Sequence, residues 1–108
     1  MKFLCLAYGD EKVWSTLSKD EQDDLLAQDE VLRKHGDYVA AVAESTVVRT
    51  VDGKVVASPG PFARGRVPLA GFSLIEARDL DEAKELVSRT PCAVAGGAVE
   101  IWPVKPAT

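Results

Sequence analysis

The order of elements in this 108-residue chain predicts an α+β fold, a ferredoxin-like β-α-β-β-α-β sandwich carrying an extra β-hairpin. Three observations lead to it. The chain opens on an apolar heptapeptide, two segments with helix caps at their starts follow at a distance, and each of those runs into a stretch rich in Val, Ala or Ile. Right-handed crossovers then place both helices on one face of a single sheet. The opposite face has nothing of its own chain to cover it, and a second copy is its expected partner, because a large exposed apolar patch is a liability.

Residues 2–8, Lys-Phe-Leu-Cys-Leu-Ala-Tyr, are too short for a core helix and read as a buried central strand ended by Gly9-Asp10. A connector carrying Trp14 and Leu17 follows. Ser18-Lys19-Asp20-Glu21 is a capping box, and Arg33, Lys34 and His35 oppose the dipole at the far end, so a helix is expected over 19–35. Gly36 reads as its left-handed stop, and Leu25, Leu26, Val31 and Leu32 as its apolar stripe. Residues 37–44 read as the second strand. Val47 to Val51 and Lys54 to Ala57 flank Asp52-Gly53, a strong hairpin signal because both turn positions need positive φ.

Residues 58–70 hold three of the six prolines and read as a long loop. Residues 71–77 read as a strand with Phe72, Leu74 or Ile75 inward. Asp79-Leu80-Asp81-Glu82 offers a second capping box, Ala83, Leu86 and Val87 a buried stripe, and Pro91 a stop. Residues 94–97 are a connector, and 98–104 a last strand with Trp102 on the face opposite Val99 and Ile101. One domain over 1–104 with a tail at 105–108 accounts for the chain.

Composition bounds the function. The chain is 46% hydrophobic and 28% charged with a mean hydropathy of −0.03, which excludes disorder and fibrous classes. Thirteen Lys and Arg against 17 Asp and Glu leave a net charge of −4, which argues against a nucleic-acid partner. No run approaches the ~20 apolar residues of a membrane span. The opening apolar run is too short for a secretion signal and meets Asp10 and Glu11 at once, so a cytoplasmic protein is expected. Cys5 and Cys92 have no Cys or His at metal-ligand spacing and read as buried, inert thiols.

Several ordered blocks resemble the YCII-related family, specifically its DGPF-motif branch. They are the opening Lys2–Glu11 segment with Trp14, Asp52-Gly53-Lys54-Val55, Gly60-Pro61-Phe62-Ala63, Leu69 to Glu76 running into Asp79–Ala83, and Gly96–Ile101 with Pro103-Val104. The resemblance implies a homodimer, with two ferredoxin-like subunits pairing into a dimeric α+β barrel. Pro59 replaces the motif's aspartate, and the segment around Glu44-Ser45-Thr46 is shorter than that branch usually shows. Some members are thought to use a His–Asp pair; the interior of the first long helix here has no histidine, and that assignment does not transfer.

The candidate chemistry is sparse. His35 with Asp37 could serve as a general base, or His35 is simply a helix C-terminal cation. Arg64 and Arg66, with Ser58, Phe62 and the loop amides, could hold an anionic or aromatic metabolite, or they are solvated loop residues. Arg49 and Glu76 read as an internal pair that marks either a polar site or a salt bridge. Tyr8 and Trp14 read as cleft or core aromatics. The expected function is therefore a small-molecule binder with its cleft beside residues 58–70. If it acts on its ligand, the chemistry would be acid–base work using His35 or Glu76, with no cofactor and no metal. The rival, which the resemblance implies, is a non-catalytic dimerisation or interaction domain linked to transcriptional regulation.

Overall fold

The computed structural model describes residues 1–106, with the backbone alone at Asp37; the last two residues of the expected tail lie outside the described residues. Strand β1 (Lys2–Tyr8) shows how the sequence sets two layers. Its side chains alternate between faces, so Phe3 and Cys5 enter the core while Leu4, Leu6 and Tyr8 face the other way. Short helix α1 (Glu11–Trp14) forms in the connector, with the Asp10 carboxylate accepting from the Lys12 amide.

Helix α2 (Lys19–His35) begins on the expected capping box: the Glu21 amide donates to Ser18 Oγ and the Ser18 amide to Glu21 Oε1, each at 3.1 Å. Removing one side of it in Ser18→Ala is expected to lower stability by about 1 kcal/mol, read as a shift in the urea midpoint at unchanged slope. Of the expected apolar stripe only Leu32 is buried; Leu26 and Val31 are exposed. Gly36 is not the left-handed stop. Its φ of −135° is extended and it opens strand β2 (Gly36–Ala41) directly. What requires glycine is closeness, since a Cβ there would lie 2.5 Å from the Leu74 carbonyl.

β2 ends earlier than expected because its partner runs out. After Ala41 pairs with Gly71, one further bond joins the Val42 amide to the Ala70 carbonyl, and the chain leaves the sheet. It enters the hairpin of β3 (Thr46–Val51) and β4 (Lys54–Pro59) through Asp52 and Gly53, both at positive φ. β4 includes Ser58 and Pro59, which shortens the expected loop. This hairpin is a separate two-stranded sheet, packed chiefly on itself.

Strand β5 (Leu69–Glu76) brings Ile75 and Ser73 into the core and leaves Phe72 and Leu74 on the opposite face. Helix α3 (Leu80–Val87) buries Ala83, Leu86 and Val87 as expected. Its cap is only half a capping box. The Glu82 amide donates to Asp79, but the Glu82 carboxylate turns to the amide and guanidinium of Arg78. Pro91 does not merely end a helix; it opens another, α4 (Pro91–Val94), where a missing amide is harmless. Strand β6 (Ala98–Pro103) closes the sheet.

The main sheet is antiparallel in the order β2-β5-β1-β6, the ferredoxin-like arrangement expected. α2 and α3 cover one face, tied by a 2.8 Å bond from Gln28 Nε2 to the Leu86 carbonyl. Phe3, Cys5, Leu32, Ile75, Ala77, Ala83, Leu86 and Val87 form the core between them. The other face carries Leu4, Leu6, Tyr38, Phe72, Leu74 and Trp102, with the Tyr38 and Phe72 rings stacked at 5.6 Å. No helix of the described residues is long and apolar enough to cross a membrane.

Candidate functional site

The expected site residues do not assemble into one cleft. His35 is exposed at the end of α2. It lies near Glu82, whose carboxyl is held below its usual range chiefly by the Arg78 amide, with His35 contributing least. The side chain of Asp37 lies outside the described residues. Glu76 is exposed and accepts from the N-terminal ammonium at 2.8 Å, whereas Arg49 sits on β3 in the separate hairpin. The expected internal Arg49–Glu76 pair therefore does not form. Glu76 ends a strand at the chain terminus and Arg49 leaves the main sheet altogether.

Arg64 and Arg66 are exposed, as is Ser58 on β4. Phe62, 79% exposed, does come together with Arg49 in an open depression at the base of the hairpin, bounded by Ser45, Thr46 and Pro61. Tyr8 points to the uncovered sheet face and donates to Glu100 Oε1 at 3.2 Å, which Trp102 Nε1 also reaches at 2.8 Å. Burial first, then the Glu100 charge and bond, raise the Tyr8 hydroxyl above its ordinary value.

A partly enclosed space lies elsewhere, on the helix-covered side. A cavity of about 250 Å³ opens between α2, α4 and the ends of β1, β2 and β5. It continues into a groove of about 380 Å³ that runs under Trp14 and Leu26. Asp29, Ala41, Ala70, Pro91 and Cys92 line both, so the two spaces meet at one carboxylate and one thiol. The exposure of Leu26 on α2 follows, because its side chain faces this groove rather than the core.

The walls are mostly apolar, with Leu32, Val39, Val87 and Val99 among them. The inner hydroxyls are occupied. Thr90 Oγ1 donates to the Val87 carbonyl at 2.6 Å, and Ser73 bonds the Cys5 thiol. Arg33, one turn on from Asp29, is paired with Glu30. Asp29 is thus the group left to meet a ligand. Burial pushes its carboxyl above the ordinary range; Arg33 opposes this and Glu30 adds to it.

Cys92 is only partly buried, contrary to the expectation of a sealed thiol. Proline-started α4 presents it to the cavity, and Gly9 lets it sit against the end of β1, where a Cβ would come within 2.8 Å of Cys92 Sγ. Burial, then the nearby Asp29 charge, raises the thiol above its usual value. It is therefore neutral near pH 7 and forms a soft apolar wall rather than a ready nucleophile.

Neither Asp29 nor Cys92 stands out in the sequence as a site. A signal for Asp29 existed: it lies four residues after Leu25 and three before Leu32, so it interrupts the helix stripe that faces the sheet. Among the described residues no three His, Cys, Asp or Glu side chains gather as a metal cluster.

The model of the YCII-related domain matches residues 1–108, the whole chain. The chain belongs to the YCII-related family. An uncharacterized protein of Rhizobium meliloti (strain 1021) is 31% identical over 117 residues, covering 96% of this chain and 92% of that one. A solved structure, the 5-chloro-2-hydroxyhydroquinone dehydrochlorinase TftG from Burkholderia phenoliruptrix AC1100 in complex with 2,5-dihydroxybenzoquinone, superimposes with a TM-score of 0.59 at 18% identity. It covers 99% of this chain and 96% of that one, and the likeness supports the YCII-related, ferredoxin-like fold.

Proposed function

We propose that this YCII-related protein binds a small hydroxylated aromatic compound in the Asp29–Cys92 cavity and exchanges a proton with it through the Asp29 carboxyl. The observation that carries the reading is the meeting of two apolar spaces at one carboxyl whose affinity for protons is raised by burial. Such a group takes a proton from a hydroxyl, or returns it to carbon, closer to neutral pH than an ordinary carboxyl does. The apolar walls suit a flat ring, and the absence of an unpaired cation at this spot favours a hydrogen-bond donor over an anion. The TftG complex, which holds a hydroxylated quinone on a similar fold, supports the ligand class.

Hydroquinone and its dimethyl ether test this. Hydroquinone is expected to raise the melting temperature and to slow alkylation of Cys92 by iodoacetamide, with the ether at least tenfold weaker. Equal behaviour of the two, or no protection of Cys92, overturns the reading.

Membership of the DGPF branch, cytoplasmic location and a homodimer belong to the same reading. Gly60-Pro61-Phe62 supports the first. The last is supported by the uncovered sheet face, where Tyr38, Phe72 and Trp102 present aromatic surface to solvent. Light scattering of the wild type at twice the monomer mass is the expected result.

A further inference from the structure

The hairpin of β3 and β4 is unexplained by the cavity or by the sheet. Its register places Thr46, Val48, Thr50, Val55, Ala57 and Pro59 on one face, with no charge among them. Val48 is 64% and Val55 74% exposed, because neither strand packs substantially on the sheet or helices. An isolated two-stranded hairpin is marginal in water, and exposed valines on a strand edge invite pairing.

The whole molecule shows the same deficit. Its radius of gyration is 15.8 Å, where a compact chain of this length has about 13 Å. Its accessible surface is 7959 Å², where a monomer of this mass exposes about 5,800 Å². The excess is of the size that one partner of an obligate dimer buries.

The hairpin itself is close to neutral, with Arg49 and Lys54 against Asp52, a net +1. An uncharged exposed face on a chain whose excess surface matches one side of an obligate dimer points to a second copy as the occupant.

We propose that the 46–59 hairpin is a clasp that reaches onto the body of a second copy, its uncharged face packed there and Arg49 and Lys54 on the side turned away from the contact. This rests on the homodimer reading and adds to it that the arm, beyond the sheet face, holds the pair together.

Sedimentation of the wild type, the Val48→Asp/Val55→Asp variant and the Arg49→Glu/Lys54→Glu variant decides it, with circular dichroism confirming that each is folded. The expected result is a wild-type dimer, association weakened at least a hundredfold in the aspartate variant, and association unchanged in the charge-reversed one, whose side chains lie on the opposite face. A photo-crosslinking residue at position 55 should give covalent dimers, and one at Lys84 on α3 should not. A wild-type dimer matched by an equally tight aspartate variant overturns the clasp and leaves the sheet-face dimer standing. A wild-type monomer overturns both.

Discussion

Phe3→Ala is expected to cost about 3–5 kcal/mol of folding free energy, the range for emptying a fully buried aromatic site. Phe3 is 0% exposed, and it packs with Ile75, at 1%, inside a core of only a few large side chains. A small domain has little core to spare, and β1 lies at the centre of the sheet with β5 and β6 on its flanks. At about 4–8 °C per kcal/mol for a domain near this size, the melting temperature falls by roughly 12–40 °C. Urea denaturation at unchanged slope measures it. A loss below about 1 kcal/mol would mean that Phe3 does not fill the space between sheet and helices.

Asp29→Asn is expected to stabilise the protein and impair its site together. Burial raises the Asp29 carboxyl, so the folded state holds this proton more tightly than the unfolded chain does. Stability therefore falls as pH rises from the ordinary carboxylate range through the folded-state value, and the full penalty stands at neutral pH. Asparagine removes the charge and the penalty. The variant should melt a few degrees above wild type at pH 7, and the difference should vanish toward pH 3, where Asp29 of the wild type is protonated in the folded and unfolded chain alike. Hydroquinone binding should weaken about tenfold, because a charge-assisted hydrogen bond is roughly twice as strong as a neutral one. Any dependence of binding on pH in the acid range should flatten. A variant no more stable than wild type at pH 7 would place Asp29 in water and remove the basis of the proposed chemistry.

Stability gained on losing a carboxylate is the usual mark of a group kept for use rather than for folding. The exposed ion pairs give a contrast. Lys19–Asp23, Lys84–Asp81 and Arg89–Glu85 all stand in solvent, where such pairs contribute little.

Local chemistry in the chain alone determined much of the architecture. The short apolar run of residues 2–8, the Ser18–Glu21 box, the Asp52-Gly53 turn and the stripe of Ala83, Leu86 and Val87 each depend on neighbours a few positions away, so these elements were legible before any folding. What required the tertiary structure was everything that depends on approach between distant segments. Gly36 is extended because β2 starts against the Leu74 carbonyl, not because a helix ends there. Residues 91–94 form a helical turn that rests on the end of β1, and only that packing turns Cys92 toward Asp29, 63 positions earlier. The arginines of the loop carried the stronger local signal, but they point into solvent. A site is a convergence of groups in space, and spacing along the chain reports it only where the helix repeat or strand pleat brings those groups together.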